Sequence, residues 1–280
     1  MKTLQYKSKD PSVHVLEEVL TALGYSVFVS DFFGMDTHKA VMDFQSKHQL
    51  VVDGKVGIKT WAKLAEAVQQ TLKFTEKLLS ENDLINFANT YQLELAAVKA
   101  VNEVESSCKG FLISGKAKIL FEGHVFWQQL KNRGFNPKNL SNESNADVLY
   151  EKWTKKHYLG GEGEYTRLNK ATSLLPDIKV KEAALCAASW GSFQIMGYHF
   201  ENLGFSTVDA FVMAMNLHER EHLEAFGKFL EVTSFKSKKL MQWLKEKNWE
   251  RFAEGYNGSG FKANKYDEKL EKAYLKYKNL

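Results

Sequence analysis

The sequence predicts a mainly α-helical protein built in two parts, and three observations carry that expectation. Apolar residues recur at helical spacing at Val13, Leu16, Val19, Leu20 and Leu23. A glycine-led turn signal repeats within the first 70 residues, and strand-like alternation is scarce in the 200 that follow. The chain of 280 residues has room for a small domain and one of ordinary size, and its 44% hydrophobic content provides a full core. The expected division is a three-helix unit at 1–70, a polar link at 71–80 and a larger α-rich domain at 81–280.

In the first part, the Val13–Leu23 helix is closed by Gly24. Gly34-Met35-Asp36-Thr37 and, 23 residues later, Gly57-Ile58-Lys59-Thr60 each read as a turn into a helix. Glycine is expected there for a positive φ, with the residues behind it capping the helix. Ser80-Glu81-Asn82-Asp83 is the next helix start. Beyond it, helices are expected at about 80–90, 93–105, 118–131, 145–156, 164–174, 180–188, 207–230, 237–246, 248–255 and 265–278. A short hairpin is expected near 157–166, where Gly160, Gly161 and Gly163 cluster.

Composition excludes several classes. The first apolar patch, Val13 to Phe33, is interrupted by Glu17, Glu18, Gly24 and Asp31, so it reads neither as a signal peptide nor as a membrane span. Residues 1–70 carry eight lysines and eight acids, which places the whole net charge of +4 on the remainder. That charge suits an anionic polymer or cell surface, or a plain solvated surface; no nucleic-acid module is evident. Cys108 and Cys186 allow at most one intramolecular disulfide and read as buried thiols.

The first part resembles the peptidoglycan-binding type 1 domain through Leu23-Gly24-Tyr25, Asp31-Phe32-Phe33-Gly34, Thr37, Phe44-Gln45, Asp53-Gly54-Lys55-Val56-Gly57 and Thr60-Trp61. Glu17 departs from it, standing where that family usually has glutamine.

The second part carries Val104-Glu105-Ser106, Lys118-Ile119-Leu120-Phe121-Glu122, Ser189-Trp190-Gly191-Ser192-Phe193-Gln194-Ile195-Met196-Gly197, Gly255-Tyr256-Asn257-Gly258 and Tyr266-Asp267. In that order these residues resemble the N-acetylmuramidase domain of modular endolysins, itself similar to goose-type lysozymes and lytic transglycosylases. Ser107-Cys108 and Gly123 depart from the pattern without removing its acid.

The resemblance implies hydrolysis of the β-1,4 bond between N-acetylmuramic acid and N-acetylglucosamine, with Glu105 as proton donor and no cofactor or metal. Such an acid must hold its proton near neutrality, which needs apolar surroundings. The helix before Glu105 supplies Leu95, Val98, Val101 and Val104. Gln194, Tyr256 and Asn257 are implied to bind the glycan. Trp190 is expected either to stack on a sugar or to pack in the core. Glu122 is a candidate second carboxylate, with Glu162 or Glu164 behind it; a water- or substrate-assisted route needs none.

The resemblance also implies peptidoglycan as partner, a monomer without stable membrane insertion, and residence in a host cytoplasm until a holin opens the way to the wall. Rival readings are a lytic transglycosylase cutting the same bond and a wall-binding protein with a dead enzyme domain. A third is a zinc peptidase through His218-Glu219-Arg220-Glu221-His222, which satisfies H-E-x-x-H with both histidines expected on one helix face.

Overall fold

The computed structural model describes residues 3–69, 77–105 and 110–279. The expected link at 71–80 lies mostly outside them, as does Cys108. In chain order the helices begin with α1 (Pro11–Ala22), α2 (Met35–Lys47), α3 (Ile58–Gln69), α4 (Glu81–Tyr91) and α5 (Leu95–Glu105). They continue with α6 (Gly123–Asn132), α7 (Pro137–Leu140), α8 (Glu162–Thr172), α9 (Ile178–Cys186) and α10 (Val208–Leu217). The last are α11 (Glu219–Val232), α12 (Leu240–Lys245), α13 (Trp249–Asn257) and α14 (Tyr266–Lys278). Strands are few and short: β1 (Ile119–Phe121), β2 (Ala188–Trp190), β3 (Ile195–Met196), β4 (Ser234–Phe235) and β5 (Lys238–Lys239). The chain is mainly α, as its sequence predicts.

Two compact units emerge, and each is discontinuous in sequence: Met1–Thr75 with Phe111–Ser189, and Glu76–Gly110 with Trp190–Leu280. In the first unit α1 starts where Asp10 caps Ser12 N and Pro11 occupies the first turn, a position that needs no amide donor. Leu16, Leu20, Phe33, Val41, Phe44 and Leu64 close a core around it.

The repeated glycine-led turn is present, but its mechanism differs from expectation. Gly34 has φ −80°, so no left-handed turn is made there. The repeat is held through its threonines instead. Thr37 donates to Glu17 at 2.5 Å, and Ser30 N donates to the other oxygen of that buried carboxylate at 2.6 Å. In the second half Gln45 takes the place of Glu17. It donates to Thr60 at 3.2 Å and to Lys55 O at 2.9 Å, and accepts from Gly54 N at 2.9 Å.

The rest of this unit centres on a buried ion pair, Glu164–Arg167, at 2.8 Å. Glu164 accepts from the amides of Phe121, Leu159 and Gly160; Arg167 donates to the carbonyls of Phe121 and Asp147. This pair organises the 157–166 stretch, which is a loop running into α8 and not the expected hairpin. Two further expectations fail here. Residues 119–121, expected within a helix at 118–131, are β1, paired with β2, and Ile119 and Phe121 alternate into the core. Residues 145–156 form no α-helix; Asn142 and Asn145 cap one another in a single tight turn.

In the second unit α4 begins at the expected Ser80, whose side chain and Asp83 form a reciprocal capping box. α5 packs along α14, burying Ala97, Val98, Ala100 and Val101. The helix expected at 207–230 is two. His218 adopts an extended backbone, φ −161°, and its ring accepts from Arg220 N to start α11.

Candidate active site

Glu105 is the last residue of α5 and lines a cavity of about 370 Å³ within the second unit. Gln194, Tyr256 and Asn257 line the same cavity, so four residues expected to act together converge from three distant stretches. Met196, Tyr198, His199, Phe229 and Tyr266 complete much of the wall.

Burial pushes the Glu105 carboxyl up to about 7, because an apolar surrounding penalises the charged form. Two weaker influences oppose it: Asn257 Nδ2 donates to Glu105 Oε1 at 3.0 Å, and Lys269 contributes positive potential. Glu103, two residues earlier, faces away. It is bonded by Lys276 and Tyr277, and these hold it below the usual carboxylate range. The carboxyl in the cavity is thus the one that keeps its proton near neutrality.

Gln194 sits at φ +48°, a left-handed conformation that costs a non-glycine residue about 1–2 kcal/mol. Its Nε2 donates to Gly191 O at 2.9 Å, closing the turn on itself. Such strain persists only where surrounding contacts fix it. One of them is Tyr256, whose hydroxyl donates to Phe193 O at 2.7 Å while its ring stacks on Phe252. That hydroxyl is therefore committed to the loop, a role the sequence does not disclose.

Trp190 does not line the cavity. It is 1% exposed and offers no open ring face, so packing is the role its burial matches. Phe193 is likewise buried, stacked on Phe226 at 4.3 Å. Of the aromatics lining the cavity, Tyr198 is the most exposed, at 42%. His199 beside it is held below the usual histidine range by burial, so it is neutral at pH 7. Neither is marked by its sequence context; both follow a Gln-Ile-Met-Gly turn whose direction only the fold reveals.

Glu122 belongs to the first unit, at the start of α6. Tyr158 lies 2.7 Å from both of its oxygens and His124 lies 3.3 Å away. Glu162 is bonded by Lys116 and Ser114, and Glu164 is spent in its buried ion pair. Among the described residues lining the cavity, Glu105 is the only carboxylate.

The H-E-x-x-H stretch is arranged for a different purpose from zinc binding. His218 precedes α11, so the two histidines do not share a helix face. His222 uses Nδ1 to accept from Ser192 N at 3.1 Å and Nε2 to donate to Met215 O at 2.6 Å. Glu219 accepts from Gly110 N at 3.0 Å and from Leu79 N at 2.9 Å. Both ring nitrogens of His222 and both carboxylate oxygens of Glu219 already have backbone partners. Among the described residues no group of three or more His, Cys, Asp or Glu is placed to hold a metal ion. Cys186 is buried, with Arg133 3.3 Å from its sulfur.

Comparison with known proteins identifies the family. The N-acetylmuramidase family model matches residues 94–278, and a peptidoglycan binding domain model matches residues 9–64. No curated protein matches the chain. Among solved structures, the Burkholderia AP3 phage endolysin is 38% identical, with 100% of each chain covered and a TM-score of 0.66. Since the first model spans well over half of the sequence, the chain belongs to the N-acetylmuramidase family and is a glycoside hydrolase with a peptidoglycan binding domain ahead of its catalytic part.

Proposed function

We propose that Glu105 is the proton donor with which this muramidase cleaves the β-1,4 bond between N-acetylmuramic acid and N-acetylglucosamine. The observation that carries the reading is a carboxyl held up to about 7 at the edge of a cavity with Gln194 and Asn257. A protonated Glu105 delivers its proton to the glycosidic oxygen as the ring gains oxocarbenium character. Asn257 donates to the carboxylate left behind. With no second carboxylate among the described lining residues, water or the substrate's own acetamido group meets the anomeric carbon. Gln194 and Asn257 supply amides for the sugar's acetamido and hydroxyl groups, and Tyr198 supplies the stacking face expected of Trp190.

Residues 1–70 hold the enzyme on peptidoglycan and 81–280 form the catalytic domain, which raises the effective concentration of the cleft at its polymer. Within the first part, a cavity of about 580 Å³ lined by Tyr25, Asp36, Lys39, Asp43, Lys47 and His48 is the wall contact we assign. Its paired charges suit the amine and carboxylate groups of stem peptides. The chain acts as a monomeric endolysin, held in a host cytoplasm until a holin admits it to the periplasm. Similarity to a phage endolysin supports the endolysin reading.

The test is mass spectrometry of peptidoglycan digested by wild type and by Glu105→Gln. Reducing muramic acid ends from wild type alone support the assignment. Anhydro-muramic ends would make the enzyme a lytic transglycosylase, and full activity of the variant would remove Glu105 from the chemistry.

A further inference from the structure

The start of α11 ties together parts of the second unit that are far apart in sequence. Glu219 and His222, 6% and 1% exposed, sit one turn apart with their polar atoms on backbone groups. Glu219 joins Leu79 N and Gly110 N; His222 joins Ser192 N to Met215 O at the end of α10. The fit is close. A Cβ on Gly110 would lie 2.3 Å from Ser192 Oγ and 2.6 Å from Glu219 Oε1, and one on Gly191 would lie 2.7 Å from the His222 ring. Two glycines and two charged-type side chains are packed against each other with no slack.

The two backbone points held here lie near cleft residues in the sequence. Gly110 is the fifth residue after Glu105, and Ser192 is the second before Gln194. Phe193, between Ser192 and Gln194, is the residue whose carbonyl receives the Tyr256 hydroxyl. Neither Glu219 nor His222 lines the cavity beside Glu105. Burial keeps His222 down at about 4, so Nδ1 remains an acceptor for Ser192 N throughout the neutral range.

We propose that Glu219 and His222 are positioning residues of the muramidase cleft: His222 fixes Gly191–Ser192 and through them Gln194, while Glu219 holds Gly110 against the same point. The proposal rests on the assignment of Glu105 as the acid. It gives the H-E-x-x-H stretch a function in glycan cleavage that requires no metal at those side chains.

Two replacements at one site separate positioning from stability. In His222→Asn the side-chain oxygen reaches the place of Nδ1, keeping an acceptor for Ser192 N and losing the donor to Met215 O. In His222→Gln the amide reaches the place of Nε2, keeping that donor and leaving Ser192 N unpaired. Both full-length variants are expected to lose similar amounts of Tm.

With soluble peptidoglycan fragments, His222→Asn should keep kcat within about threefold of wild type. His222→Gln should lose about tenfold or more in kcat with KM nearly unchanged, since small misplacements near the chemistry cost up to about a hundredfold. Amide exchange at Ser192 should quicken in the glutamine variant alone. Equal losses in kcat, or none in either, would overturn the proposal. Loss of wild-type activity on adding a chelator would overturn it too, returning a metal to the motif.

If neither His222 variant folds, Glu219→Gln measured below its Tm gives the same reading. It leaves one of two amides without an acceptor, and kcat must fall about tenfold for the proposal to stand. The Glu105→Gln control is read separately: if that variant stays active, the acid assignment fails whatever happens at His222.

Discussion

Replacing Glu105 by glutamine should abolish cleavage and, at alkaline pH, make the protein more stable. The carboxyl stands at about 7 in the folded chain against an ordinary 4.5, a gap of about 2.5 pH units. At about 1.4 kcal/mol per pH unit this comes to about 3 kcal/mol. The sign follows from the direction of the shift. A group raised on folding contributes its stability fully below about 4.5 and loses it as pH climbs through 7. Above pH 8 the wild type therefore carries the cost of a buried charge that Glu105→Gln does not.

The assay is thermal unfolding of both proteins from pH 4 to pH 8.5. Their Tm values should coincide at the acid end and separate by about 5 °C at the alkaline end, using about 2–4 °C per kcal/mol for a chain of this size and allowing for Glu105's partial exposure. A separation that does not grow between pH 5 and pH 8 would refute the reasoning. It would mean that Glu105 titrates like a solvated carboxyl.

Other outcomes follow from the same contacts. Asn257→Leu removes a donor to the Glu105 carboxylate, so the alkaline limb of kcat/KM, expected near pH 7 in wild type, should move to higher pH; an unmoved limb counts against that bond. Arg167→Met strands the Glu164 carboxylate in the core and should destabilise the protein by about 3–5 kcal/mol in urea titration. Burial raises the Glu17 carboxyl, so Glu17→Gln should raise Tm at pH 7, with the gain closing as pH falls toward 4.5. Lys39→Glu with Tyr25→Ala should weaken cosedimentation of an inactive Glu105→Gln chain with sacculi while leaving its Tm within a few degrees.

What could be read from the residues alone was what depends on local pattern. α1, α4 and α5 announce themselves through caps and apolar spacing, and the motif containing Glu105 carries its position with it. The errors lie where a local side-chain cap or a strand pairing overrides the helical period. His218 breaks a helix because its ring takes over capping of Arg220 N. Asn142 and Asn145 satisfy each other instead of continuing a helix, and Ile119–Phe121 alternates where a 3.6-residue period was expected. Periodicity does not say which side of a turn faces a cavity, so Tyr198 and His199, which line it, are not singled out by the sequence, and Trp190, buried outside it, is left between stacking and packing.

The crowding of Gly110 and Gly191 against α11 also bears on efforts to toughen this enzyme for use as an antibacterial. Glycine-to-alanine replacement is a common route to heat tolerance, yielding about 0.4–1 kcal/mol where the backbone permits. Here the safe and the ruinous positions can be sorted in advance. Gly260 has open space around an added methyl group and an ordinary φ. At Gly110 or Gly191 the same methyl group would wedge apart the carboxylate, imidazole and hydroxyl that meet there. A library screened for thermal survival alone would discard such variants as unstable. One screened for turnover would discard them as inactive, and both screens would be reporting the same collision.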